Sequence, residues 1–218
     1  MDTPTFTVGI TGHRPNRLAI GEARVARRLA LVLAALRHGS RGCRRIALSA
    51  LAEGADRLFA VAAQGLGYKM HALLPFASAE YETTFGDGTT TPHYRALLEA
   101  AANREELPGP LSDSKRAYEV VGRLTVERSD ILVAVWDGQP AAGRGGTPEI
   151  IEFAVARRIP VVWIDAGCDR RPRVLHQSLA SGPSATTLAA LAKRSPPVSM
   201  AGLAALAKAT CRWSGVGW

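Results

Sequence analysis

The sequence predicts an α/β fold: a three-layer sandwich in which a mainly parallel sheet of about five strands lies between helices. Three observations predict it. Short apolar runs at residues 6–10, 46–51, 70–74, 131–136 and 160–164 alternate with longer segments of helical period. Those runs are almost unbroken in hydrophobicity, as strands buried on both faces are. Each strand-helix alternation needs a crossover, and right-handed crossovers on both sides of one sheet give the expected strand order 3-2-1-4-5.

The elements follow in order. Residues 6–10 form a strand that stops at Thr11-Gly12-His13-Arg14-Pro15-Asn16, where Gly and Pro interrupt regular structure. From residue 20 to 36 the positions Ile20, Val25, Leu29, Val32, Leu33 and Leu36 share one helical face, Arg24, Arg27 and Arg28 take the other, and Gly39 supplies the stop. The second strand, 46–51, leads through Glu53-Gly54-Ala55-Asp56 into a helix over 57–64. The third, 70–74, is closed by Pro75.

Residues 76–111 turn polar around Gly86-Asp87-Gly88-Thr89-Thr90-Thr91-Pro92, with a short helix over 94–102, and read as an insertion or lid. A helix over 115–128, the strand 131–136, a helix over 147–158 and the strand 160–164 complete a core spanning residues 5–165. The rest, 166–218, is an appendage with Ala/Leu-rich helices at 187–193 and 200–208, expected on the sheet edge or as a linker to a further domain.

Composition narrows the class. A chain of 218 residues, 47% hydrophobic and 6% aromatic, supports one domain with a sizeable core rather than two. The net charge of +8 comes from 27 Lys and Arg against 19 Asp and Glu; the arginines are scattered along the sequence rather than gathered on one helical face, so a polyanionic partner is not required. Cys43, Cys168 and Cys211 show neither a disulfide framework nor metal-ligand spacing, which fits a reducing cytoplasm. No stretch approaches the roughly 18 apolar residues that span a bilayer, and residues 1–7 do not resemble a signal peptide. No metal, cofactor or membrane is called for.

In an open parallel sheet, ligands bind beyond the strand C-termini at the point where strand order reverses. Three loops arrive there. Thr11, Gly12, His13 and Arg14 follow the first strand and offer a tight turn, an imidazole and a fixed cation. Glu53, Gly54, Asp56 and Arg57 open the second helix; Asp56 is placed either to accept ribose hydroxyls or to cap that helix. Gly138, Gly143, Gly145, Gly146 and Thr147 run into a helix whose unpaired amides would receive a phosphate, or else form a turn with Thr147 as a simple cap. Pro75 borders the same end of the sheet. For catalysis the candidates are Glu149, one turn into that helix, and Arg123 on the preceding one; both read equally as surface charges. His71, inside a strand, reads as a core histidine.

Taken together, VGITGHRPN at residues 8–16, SALAEGADR at 49–57, LLPF and EYETTF within 73–85, and GRGGTPEIIEFAVARRIPVVWID at 143–165 resemble the SLOG superfamily. That group joins DprA, the LOG phosphoribohydrolases and sensor domains of TRPM channels and bacterial defence proteins. The resemblance implies a Rossmann-like fold, a site for nucleotides or ADP-ribose-like ligands contacted by Gly12, Arg14, Gly145, Gly146 and Thr147, and pairing of two copies through the helices beside the Gly-rich loop. LOG enzymes carry Pro-Gly-Gly-x-Gly-Thr-x-x-Glu; here the Pro is missing, Arg144 interrupts the glycines, and Ile150 stands where the Glu belongs, with Glu149 one position early.

The leading expectation is therefore a nucleotide-sensing module that works with an effector domain or partner protein. The second is a nucleotide N-glycosidase using Glu149 and Arg123. The third is DprA-like binding of single-stranded DNA, disfavoured by the few aromatics near the site, Tyr81, Phe85, Tyr94 and Trp136.

Overall fold

A computed structural model describes residues 3–86, 88–140, 145–176 and 188–211. Its centre is a seven-stranded sheet of β1 (Thr5–Gly12), β2 (Arg44–Ser49), β3 (Lys69–Leu74), β4 (Asn103–Glu106), β5 (Ile131–Trp136), β6 (Val161–Asp165) and β7 (Arg173–Leu175). The spatial order is β4-β3-β2-β1-β5-β6-β7, parallel except for β7. The five expected strands occupy the middle in the expected order, and two short strands extend the edges.

Both edge strands escaped sequence reading, each for its own reason. β4 reads Asn-Arg-Glu-Glu, with no apolar residue, because an edge strand has one free side that tolerates charge. Its register on β3 pairs His71 with Asn103 and Leu74 with Glu106. β7 has three residues, too few to show a period. The supposed insertion at 76–111 is thus partly sheet.

Helices α1 (Glu22–Gly39) and α2 (Ala55–Gly65) cover one face. On the other lie α5 (Ser114–Glu127) and α6 (Thr147–Ala156). Alternation along β5 divides its side chains between two cores: Ile131, Val133 and Val135 face the first, and Leu132, Ala134 and Trp136 the second. Between β3 and β4 run α3 (Ser78–Glu82) and α4 (Thr91–Glu99). This stretch is not a polar flap. Phe76, Tyr81, Phe85 and Tyr94 are all buried and meet edge to face, with ring centroids 4.8–5.8 Å apart.

The last helices are α7 (Leu188–Arg194) and α8 (Met200–Thr210). α7 packs on α6 and β7, but α8 lies across α1 rather than on the sheet edge, so closely that a Cβ on Gly39 would collide with the Ala204 carbonyl. That docking brings Cys211 to Cys43, and the two form a disulfide. The expectation of no disulfide was wrong here because the two cysteines are 168 residues apart, and only the α1–α8 contact, which no spacing rule encodes, unites them. Among the described residues no helix is long and apolar enough to cross a membrane.

Candidate functional site at the strand crossover

The chain leaves β1 toward β2 on one side and returns to β5 on the other, so β1 and β5 are neighbours with a crevice beyond their C-termini. Close backbone approach builds the crevice. Gly12 has no room for a side chain, since a Cβ would sit 2.4 Å from that of Ala55. Gly54 has φ +87°, and a Cβ there would lie 2.6 Å from the His13 carbonyl oxygen. The Ala55 N–H donates to that same carbonyl at 3.1 Å. The start of α2 is thereby fixed against the loop after β1. Opposite it, the Gly145 N–H donates to Glu149 Oε2 at 2.8 Å, which holds the entry to α6.

Between these walls lies a cavity of about 350 Å³. Thr11, Gly12, His13, Arg14, Asn16 and Arg17 form one side; Ala50, Ala52 and Asp56 the second; Gly145, Gly146, Thr147, Pro148 and Ile150 the third. Tyr118, Val121, Gly122 and Thr125 of α5 supply an apolar flank, and Tyr81 reaches in from α3. The Tyr81 hydroxyl is fully buried and has no hydrogen-bond partner among the described residues. A buried hydroxyl left unpaired is costly, so its position in a cavity wall marks a place where a polar group belongs.

Charge is arranged in two clamps. Asp137, the first residue after β5, receives Arg17 through Nε at 2.9 Å and Nη2 at 2.7 Å, and its Oδ1 lies 3.0 Å from His13 Nε2. It also accepts the Gln139 N–H at 3.0 Å. Burial tends to raise the Asp137 carboxyl, but the Gln139 amide, His13 and Arg17 together hold it below its ordinary 3.8. Burial keeps the His13 imidazole below 6.5 despite Asp137, so the ring is neutral at pH 7. In the second clamp, Arg14 Nη1 donates to Glu53 Oε2 at 3.1 Å, and the other Glu53 oxygen accepts the Thr90 hydroxyl at 2.5 Å. The cavity mouth is thus tied to the segment before α4.

Replacing Asp137 with Ala is expected to cost about 1–2 kcal/mol of stability at neutral pH, a discounted figure because Arg17 is about 31% exposed and regains water. The Asp137 pKa is lowered by folding, so its contribution is complete above 3.8 and fades as pH falls through the folded value. Denaturant titrations of wild type and Asp137→Ala should therefore run apart between pH 5 and 8 and draw together as the pH falls below 3.8; a gap that stays constant through acid unfolding would refute the clamp.

Of the residues singled out by sequence, Thr11, Gly12, His13, Arg14, Asp56, Gly145, Gly146 and Thr147 meet at the cavity. Glu53 stands behind Arg14, and Gly54 is a packing residue. Arg57 turns away: Nε donates to the Leu51 carbonyl and Nη1 to that of Thr90, while the guanidinium lies 4.3 Å from the centre of the Phe85 ring. Pro75 is buried just past the end of β3, and Gly138 turns the chain after β5 with φ +79°. Gly143 lies outside the described residues.

The catalytic candidates Glu149 and Arg123 are 3.8 Å apart, but neither lines the cavity; Arg123 pairs with Glu119 at 2.7 Å and covers Phe153. His71 is half-buried on β3, its pKa lowered by burial. Sequence reading overlooked Arg17 and Asp137, although Asp137 had a usable signal as the first residue past a strand at the crossover; Tyr81 was counted only among the aromatics near the site, and its place in the cavity wall depends on a segment distant in sequence. No cluster of metal-ligating side chains occurs among the described residues.

No protein-family model matches the sequence, and no curated protein matches it significantly. Solved structures do. DNA processing protein A (DprA) from Streptococcus pneumoniae superposes with a TM-score of 0.57 at 16% identity, over 94% of this chain and 62% of that one. The chain therefore spans less than two thirds of that protein's length. A molybdenum cofactor carrier protein from Chlamydomonas reinhardtii gives 0.43 at 17% identity, covering 73% of this chain and 75% of that one. DprA from Helicobacter pylori gives 0.43 at 19%, covering 74% and 66%. With its parallel sheet, its helices on both faces and its crevice at the β1/β5 crossover, this chain has a Rossmann-like fold of the DprA type.

Proposed function

We propose that the crossover cavity binds a nucleotide or nucleotide-derived molecule and that the chain acts as a sensor of it. The observation that carries this reading is a cavity of about 350 Å³ with arginines at its mouth, the start of α6 on one wall and a buried carboxyl and hydroxyl, Asp56 and Tyr81, farther in. That volume is at the small end of the range for ligand pockets, about 300–1,000 Å³. It suits a mononucleotide, or one half of an ADP-ribose-like molecule whose remainder stays outside. A phosphate near Gly146–Thr147 and Arg14 meets amides and a guanidinium, while sugar hydroxyls or base edges meet Asp56 and Tyr81. The Arg14–Glu53–Thr90 connection offers a route by which an anion that recruits Arg14 loosens the segment before α4.

The hydrolase reading is weaker, because Glu149 is engaged with the Gly145 amide and Arg123 with Glu119, and neither of the two side chains lines the cavity. Thermal-shift measurements with AMP, ADP-ribose and NAD, followed by chromatography of each mixture, test the proposal. A ligand that stabilises the protein and is recovered intact supports sensing; recovery of free base would move the assignment to a glycosidase. Arg14→Ala is expected to weaken the stabilising ligand about tenfold or more, the loss of one charge-assisted hydrogen bond. Absence of any shift would remove the nucleotide pocket altogether.

A further inference from the structure

A second concavity, of about 260 Å³, lies at the other end of the sheet. It is formed where α1 ends and β2 begins, and is lined by Ala34, Arg37, His38, Arg41 and Arg45. β2 has six residues, so this site is roughly 20 Å from the crossover cavity along the strand direction. Three guanidinium groups surround it. Among the described residues no carboxylate forms an ion pair with any of them, whereas nine ion pairs engage arginines elsewhere on the molecule.

Several details indicate a formed site rather than a repelling patch. Arg41 Nη2 lies 2.9 Å from His38 Nδ1; since a guanidinium only donates, Nδ1 accepts and the ring proton sits on Nε2, which adds a donor. Arg45 Nη1 reaches the Ser40 carbonyl at 3.5 Å, but its Nε is buried with no partner. The turn that carries Arg41 is fixed by the Ser40 hydroxyl on the Leu36 carbonyl at 2.9 Å and by the Cys43–Cys211 disulfide. The C-terminal dipole of α1 offsets only about half a unit charge, which leaves most of three positive charges uncompensated.

We infer that this concavity is a second ligand site and that it takes a compact anion bearing two or three phosphate groups. Guanidinium forks match phosphate oxygens in pairs, and three forks around a pocket of this size suit a di- or triphosphate better than a single phosphate. A nucleic-acid strand is the less fitting occupant: no aromatic side chain lines the concavity to stack a base. The inference is independent of what the crossover cavity binds.

Calorimetry with inorganic tripolyphosphate on the full chain at physiological ionic strength tests it. Wild type should bind with a measurable constant, the double variant Arg37→Gln/Arg41→Gln should bind at least tenfold more weakly, and Arg41→Lys should fall between, since lysine keeps the charge and loses the fork. The control is Arg24→Gln/Arg27→Gln, which removes two exposed arginines from the first turns of the same helix and should leave binding unchanged. Equal weakening by the control would reduce the effect to net charge and overturn the site, as would no binding by wild type. An Arg37- and Arg41-dependent affinity for single-stranded DNA that tripolyphosphate cannot displace would overturn it in favour of a nucleic-acid surface. Circular dichroism and melting of each variant separate loss of binding from loss of folding.

Discussion

Gly54→Ala is expected to lower stability by about 3 kcal/mol, which for a chain of this size moves the melting temperature down by roughly 6–12 °C. Two effects add. The backbone at Gly54 has φ +87° and ψ −126°, outside the regions open to L-residues. The new methyl group would also lie 2.6 Å from the His13 carbonyl oxygen and 3.0 Å from the Arg14 Cα, and both are main-chain atoms that no rotamer change can remove. Relief requires the loop after β1 to move, and that loop carries His13, Arg14 and Arg17. Ligand binding should therefore fall together with stability. Gly65→Ala is the matched control: it lies at the end of α2, has an ordinary φ and open space around it, and should be neutral or slightly stabilising. Equal melting temperatures for Gly54→Ala and wild type would show that the β1 loop and α2 are not sewn together as described.

That same pair of loops shows what the sequence could reveal. The strands of the sheet interior were legible because burial on both faces forces continuous apolar runs, as in Ile131–Trp136, where all six residues are buried. The order followed from handedness. β4 was invisible because a charged edge strand has no hydrophobic signature, and β7 because three residues cannot establish a period. For the site, chain position alone located Gly12, His13, Arg14, Asp56 and Gly145–Thr147, since the crevice must lie beyond β1 and β5.

Side-chain direction was not legible. Asp56 and Arg57 are adjacent in sequence, yet one faces the cavity and the other is held beneath Phe85 and Thr90, a split set by the helical rotation of about 100° per residue and by the aromatic cluster of a distant segment. Glu149 and Arg123 likewise had the residue types for catalysis, but each is taken up by a partner four residues away, the Gly145 amide in the loop before α6 and Glu119 on α5.

Asp56→Asn should change how stability depends on pH. The Asp56 carboxyl is buried and its pKa is pushed up to about 7: burial dominates, opposed by the Ala52 and Ala50 amides, the Ser49 hydroxyl and Arg14. In the unfolded chain the same group titrates near 3.8. The folded state therefore holds this proton more tightly, so the associated stability is complete below pH 3.8 and is lost as pH rises toward 7. The full amplitude is on the order of 4 kcal/mol at most. His13 acts in the opposite sense: its pKa is lowered by burial, so its share is complete above 6.5 and lost as pH falls.

Comparing wild type with Asp56→Asn cancels the His13 contribution, because the substitution leaves that ring and its Asp137 partner in place. Urea unfolding at pH 5, 6, 7 and 8 should show wild type losing ground to the variant at each step, and parallel curves would refute a raised carboxyl. The consequence for binding follows from the same value. Near neutral pH Asp56 is divided between a form that only accepts hydrogen bonds and a form that also donates one, so a ligand presenting hydroxyl or amino donors to it should bind more tightly as pH rises from 6 to 8. A ligand presenting acceptors should bind more weakly over that interval, and the slope of affinity against pH therefore reports which edge of the ligand faces Asp56.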